Sequence, residues 1–195
     1  FLGGKVLFLI QNGWRGFSLM SGYSVFGGFL FVPPCVALFS RRKKLPVLKL
    51  MDYLFLSALV WHAFGRLGCF LAGCCHGRPT GLPWGVVFRD ARSMVPAELL
   101  GVRLHPVQLY EAVGDILIAS VLWRVLKASE RGEFKPGLVA AGYFAAYGIL
   151  RFFLEVLRGD ALPLGPLTQG QMFSLGLLAA SGAIFTWRRR CIPSC

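Results

Sequence analysis

Charge is scarce in this sequence, and acidic charge scarcest: only 15% of the 195 residues are Asp, Glu, Lys or Arg, 9 acidic against 21 basic. Soluble domains carry about a quarter of charged residues, and a chain this short and apolar has no interior large enough to hide its greasy surface. A soluble domain is thereby disfavoured. No Asp, Glu, Lys or Arg occurs between positions 16 and 40 or between 161 and 187. There is no Gly-x-x-x-x-Gly-Lys loop and no Gly-x-Gly-x-x-Gly, so no recognisable nucleotide cradle. No internal repeat, low-complexity tract or Cys-x-x-Cys pair of zinc-ribbon spacing is present.

What is there comes in membrane-sized blocks, with 55% hydrophobic residues. A span needs about 20 mostly apolar residues. The blocks predict spans at about 21–39, 48–66, 106–124, 137–155 and 168–187, all helical because a spanning backbone must satisfy itself. Residues 1–12 read as the end of a further, outgoing span. The chain opens at Phe1 inside an apolar run, which reads as a truncated start rather than a signal peptide. Glycines within the spans, such as Gly142, Gly148 and Gly176, suit close helix approach. The expected fold is an all-α, polytopic membrane helical bundle of about six spans. It forms a single membrane domain over 1–195, with an outer-face head segment at 68–105 and a small strand near 85–89.

The net charge of +12 invites a nucleic-acid reading, but its distribution argues for none. Basic clusters sit at the ends of alternate blocks: Arg41, Arg42, Lys43 and Lys44, then Arg124, Lys127, Arg131 and Lys135, then Arg188, Arg189 and Arg190. This is the pattern of cytoplasmic ends, and it predicts a cytoplasmic C-terminus.

Ionisable groups inside spans are costly and face a polar interior or a substrate path. Asp52 and Arg66 bracket the second of these spans. Glu111 and Asp115 share one helical face, as do Tyr147, Arg151 and Glu155. Ion pairing of Arg151 with Glu155, and of Arg66 with Asp52 or Glu111, accounts for the acids. The two arginines suit a further task, because a guanidinium fork matches a phosphate and stays charged when buried. His62, four residues before Arg66, reads as a hydrogen-bonded packing residue.

Several motifs then resemble those of the prolipoprotein diacylglyceryl transferase family, over nearly the whole chain from Gly3-Gly4-Lys5 onward. Gly65-Arg66-Leu67-Gly68-Cys69-Phe70 resembles its Gly-Arg-x-Gly-Asn-Phe core, with Gly77 matching a later glycine and Pro83-Trp84-Gly85 its Pro-Trp element. His105-Pro106-Val107-Gln108-Leu109-Tyr110-Glu111 is similar to its His-Pro-x-Gln-Leu-Tyr-Glu motif. Tyr147-Gly148-Ile149-Leu150-Arg151-Phe152 with Glu155 and Arg158 resembles its Tyr-Gly-x-x-Arg-Phe stripe, and Thr168 to Gln171 with Ser174 a last polar segment. Phe26 stands where many members carry a His, and Cys69 and Cys74 where the usual residues are Asn and Glu.

The resemblance implies a seven-helix bacterial inner-membrane enzyme. It would move diacylglyceryl from phosphatidylglycerol to the lipobox cysteine thiol of a preprolipoprotein, near the outer face, with no cofactor or metal required. On this reading Arg66 and Arg151 stabilise the departing phosphate, and Tyr147, His76 and His105 are candidate bases for the thiol. Gly68, Gly77, Gln108, Tyr110, Glu111 and Glu155 would line the phosphatidylglycerol site. Two alternatives stay open: an inactive relative that binds phospholipid or a lipoprotein partner, and a metal or redox protein using Cys69, Cys74, Cys75 and His76.

Overall fold

Helices begin and end where proline, glycine and basic residues interrupt the apolar blocks. The computed structural model describes residues 25–190 and has five long helices among them: α1 (Val25–Lys43), α2 (Val47–Ala72), α3 (Val107–Glu130), α4 (Leu138–Leu154) and α5 (Gln169–Arg190). Each overlaps one predicted span. Residues 1–24, with the outgoing span and the Gly3-Gly4-Lys5 motif, and the Phe26 side chain lie outside the described residues.

Left-handed residues mark several stops. Gly73 (φ 77°) follows α2, Gly132 (φ 83°) follows α3, and Gly137 (φ 90°) precedes α4. Such φ values cost glycine nothing and hinder any residue with a Cβ. Two helical stretches, Val47–Ala72 and Leu138–Leu157, are long and apolar enough to cross a membrane. The expectation of about six spans is therefore met only in part among the described residues. In α3 the apolar character is diluted by Gln108, Glu111 and Asp115, all buried against neighbours, and by Arg124, Lys127 and Glu130.

The described residues fall into two compact units, one ending at Met51 and the other beginning at Asp52. The first contains α1 and its exit, where the Leu45 amide donates to the Ser40 carbonyl at 2.9 Å. The second holds all the polar groups discussed below. There α4 packs chiefly on α5 and then on α3. Small residues permit this: Val139, Ala140 and Ala141 are buried, and a Cβ on Gly148 would stand 3.2 Å from the Ser174 carbonyl. Ser181 Oγ donates to the Ala141 carbonyl at 2.8 Å, tying α5 to α4. Phe55, Tyr143 and Phe144 interlock, with ring centroids 4.6–5.2 Å apart. Trp61, Leu71 and Phe153 instead point outward, 77%, 84% and 67% exposed.

Asp52 has a structural task. Its carboxylate accepts from the Gly137 amide at 2.7 Å and the Ala140 amide at 2.8 Å. It caps α4 from α2, satisfying donors at the positive end of the helix dipole. Asp52 is thus not the partner of Arg66. The two lie 14 residues apart on one helix, about 21 Å at 1.5 Å per residue.

The head segment is mostly irregular. Its strands β1 (Val86–Val87) and β2 (Arg103–Leu104) pair antiparallel, Val86 opposite Leu104. This is shorter than the 85–89 strand expected. A second hairpin, β3 (Pro163–Leu164) and β4 (Leu167–Thr168), turns at Gly165 (φ 64°) and feeds α5. The two regions meet where Gly77 bridges Arg158.

Candidate active site

Glu111 gathers the inward polar residues. It faces inward from the first turns of α3, and Val107, Gln108, Glu111 and Asp115 are all buried at helical spacing. Arg66 Nη2, from α2, donates to Glu111 Oε1 at 2.9 Å. Tyr147 Oη, from α4, donates to the same oxygen at 3.0 Å. The Arg66 and Glu111 side chains are 13% and 1% exposed, so the pair is nearly dry. One turn further along α3, Asp115 Oδ2 meets His62 Nδ1 at 2.7 Å. The His62 ring lies edge-on to Tyr147 at 5.1 Å. His62 is a hydrogen-bonded packing residue, as its position suggested.

A second acid anchors the neighbouring cluster. Glu155, on the 3-10 turn that extends α4, pairs through Oε2 with Arg151 Nη2 at 2.6 Å and Arg158 Nε at 3.7 Å. Thr168 Oγ1 donates to its other oxygen at 3.0 Å. Gly170 abuts the Glu155 carboxyl so closely that a Cβ there would overlap it. Arg158 also makes a two-pronged contact with Asp160, at 2.9 and 2.7 Å. Both arginines keep donors in reserve: Arg66 Nε and Arg151 Nη1 are buried without a hydrogen-bond partner, as is Glu111 Oε2. Unmatched buried polar atoms are rare in a finished interior and mark sites that await a ligand or water.

The other predicted site residues frame this core. His76 is buried, with Nδ1 3.1 Å from the Gly77 carbonyl oxygen. Gly77 has no room for a Cβ against the His105 carbonyl, which accepts from the Gly77 amide at 3.2 Å. His105 Nδ1 is buried without a partner. Gln108 donates through Nε2 to the Cys74 carbonyl at 2.7 Å. Tyr110 Oη accepts from Trp84 Nε1 at 2.7 Å. Gly68 has open space where a Cβ would stand.

Two features named in the sequence were not counted in the transferase site it offered. Arg158 was visible at i+3 from Glu155, but its fork onto Asp160 depends on the turn that ends α4. The convergence of Cys69, Cys74 and Cys75 depends on left-handed backbone at Cys75 (φ 57°), for which no local motif exists. The Cys75 thiol is drawn down to about 5, first by a hydrogen bond with Cys69 and then by the Arg158 and Arg66 guanidiniums, against its burial.

Comparison with known proteins agrees with the motif order. The family model described as prolipoprotein diacylglyceryl transferase matches residues 2–187. Proteins named phosphatidylglycerol–prolipoprotein diacylglyceryl transferase are similar to this chain. The one from Clostridium tetani is 37% identical over 82% of this chain and 64% of its own length. The one from Finegoldia magna is 34% identical over 82% of this chain and 58% of its own. The one from Clostridium perfringens, named with the numeral 2, is 34% identical over 91% of this chain and 70% of its own length. The chain thus spans about three-fifths of the length of the first two relatives. A family match over residues 2–187, with relatives 34–37% identical over most of the chain, places this chain in the prolipoprotein diacylglyceryl transferase family.

Proposed function

We propose that this protein transfers diacylglyceryl from phosphatidylglycerol to the lipobox cysteine thiol of a preprolipoprotein. The observation that carries the reading is the pair of buried arginines, each held by one carboxylate and each with a nitrogen still unmatched. Glu111 and Glu155 fix the guanidiniums, and Arg66 Nε and Arg151 Nη1 are left to receive a lipid phosphate. A fixed guanidinium in a dry site stabilises the phosphate dianion as it leaves and pays no reorganisation at that moment. Tyr147 positions Glu111, and through it Arg66.

An apolar groove of about 400 Å³ between α2 and α3 supports a lipid substrate. Phe64, Leu67, Ala112, Ile116 and Leu117 line it. It lies between the two helices that carry Arg66 and Glu111, on their exposed apolar side, where an acyl chain could lie. Gln108, Tyr110, Gly68 and Gly77 would frame the glycerol side.

The basic ends of alternate helices fit a bacterial inner-membrane protein with a cytoplasmic C-terminus and this site toward the outer face. They also fit further spans at α1, α3 and α5, which the sequence predicts and which are long enough to cross. Complementation tests the function. The intact gene should rescue a strain depleted of its transferase, and Arg66→Ala or Arg151→Ala should not. Rescue by either arginine variant at the wild-type level would refute the assignment.

A further inference from the structure

Three thiols converge where α2 meets the head segment. Cys69 lies in the last turn of α2, and Cys74 and Cys75 follow Gly73. Their Sγ atoms all lie within 4.8 Å of one another, and none is in a disulfide. Neighbouring residues of an extended chain send their side chains to opposite sides. Here Gly73 (φ 77°) and Cys75 (φ 57°) both adopt left-handed backbone, and the turn brings both thiols back toward Cys69. A non-glycine residue rarely holds that conformation, and it clusters at functional sites when it does. The loop is pinned from outside by Gln108, which donates to the Cys74 carbonyl at 2.7 Å.

Tetrahedral zinc with Zn–S bonds of about 2.3 Å sets its sulfurs about 3.8 Å apart. The observed spread needs a contraction of about 1 Å at most, within reach of side-chain rotation. His76 is turned to the Gly77 carbonyl and is not among the clustered donors, so the set among the described residues is three. Three thiolates on a divalent cation carry a net charge of −1. Arg158, buried and bridged to Gly77 two residues beyond Cys75, brings positive charge to the same side of the head segment. A three-ligand set with an open fourth position is the pattern of a catalytic rather than a structural zinc site.

The geometry points to Cys69, Cys74 and Cys75 as a trithiolate site for a thiophilic d10 cation, zinc above all, whose fourth position takes the lipobox cysteine thiol. This rests on the diacylglyceryl-transfer reading, supplies its nucleophile, and departs from the expectation that no metal is required. A thiol on such an ion gives up its proton to solvent as the resident water leaves, and stays as a thiolate. A lone pair on that sulfur forms the C–S bond to the glyceryl carbon. The C–O bond to the phosphate breaks, and its electron pair leaves on the phosphate oxygen beside Arg66. The neutral thioether is a weak ligand, so water replaces it. The metal changes neither charge nor oxidation state.

The test uses the full-length protein purified in detergent. One zinc per chain should be bound and should be lost in Cys69→Ser, Cys74→Ser and Cys75→Ser. Wild-type protein loaded with cadmium should show thiolate-to-metal charge transfer. A lipobox peptide should raise that band by about a third, as three sulfur donors become four, and the same peptide with Ser for Cys should leave it unchanged. Chelation should abolish transfer and zinc should restore it. Absence of bound zinc or cadmium, binding that survives the serine substitutions, or a cadmium band indifferent to the peptide thiol would each overturn the inference. Full transfer activity in metal-free protein would also overturn it while leaving the transferase reading intact. A responsive cadmium band without any consumption of phosphatidylglycerol would uphold the thiol site and sink the transferase reading instead.

Discussion

Replacing Tyr147 by Phe removes one oxygen from the buried face of α4 and leaves its ring free to stay where it is. The ring stacks on Tyr143 at 5.8 Å and meets His62 edge-on at 5.1 Å, so packing survives the change. What is lost is the donor to Glu111 Oε1 at 3.0 Å. A hydrogen bond to a charged group contributes about 1.5–3 kcal/mol net, and the variant should lose stability by that amount. Glu111→Gln is harsher. It leaves the Arg66 guanidinium, whose side chain is 13% exposed, buried without its counterion, and breaking such a pair costs about 3–5 kcal/mol. With Gln at 111 the Tyr147 hydroxyl faces a neutral acceptor, whose hydrogen bond is worth about 1 kcal/mol. The two changes together should therefore cost less than their sum, by about 0.5–2 kcal/mol. Thermal unfolding of the four proteins of this cycle in one detergent measures the difference. Additivity to within about 0.5 kcal/mol would refute the claim that Tyr147 and Arg66 are organised by one shared carboxylate.

Two further substitutions probe the frame around the site. Asp52→Ala strips two amides at the start of α4 of their acceptor and should cost about 2 kcal/mol or more, read as a lower unfolding temperature with α4 amides exchanging fastest. Gly170→Ala drives a methyl group into the Glu155 carboxyl and should disturb both Arg151 and Thr168. It should depress transfer more than it depresses stability, and unchanged transfer kinetics would contradict that.

Much of the architecture could be read along the chain, because apolar blocks bounded by basic, Pro and Gly residues have few alternatives to spanning helices. The Tyr147, Arg151 and Glu155 stripe was equally legible, since residues three and four apart on a helix must share a face. Arg66 was harder. Sequence offered Asp52 or Glu111, and helix geometry decides for Glu111, since Asp52 lies at the far end of the same helix. Contacts between elements were out of reach: His62 with Asp115 needs the docking of α2 on α3, and Asp52 needs the start of α4. The thiols were offered from sequence only as an alternative metal or redox site that included His76, and their convergence without it was out of reach. The spacing of Cys69, Cys74 and Cys75 matches no metal motif, and only the left-handed turn at Cys75 brings them together.

The central claim is that Arg151 does more than neutralise Glu155. Its Nη2 is engaged at 2.6 Å while Nη1 is unmatched. Arg151→Lys retains the charge and can retain the pair with Glu155, but a single ammonium cannot hold the carboxylate and a phosphate as a fork does. The decisive measurement is the rate of transfer from labelled phosphatidylglycerol to a lipobox peptide by Arg151→Lys, alongside its unfolding temperature. The account predicts near wild-type stability with kcat reduced about 100- to 1,000-fold, the usual consequence of losing one preorganised donor to a departing anion. Transfer within about threefold of wild type would contradict it and reduce Arg151 to a structural ion pair.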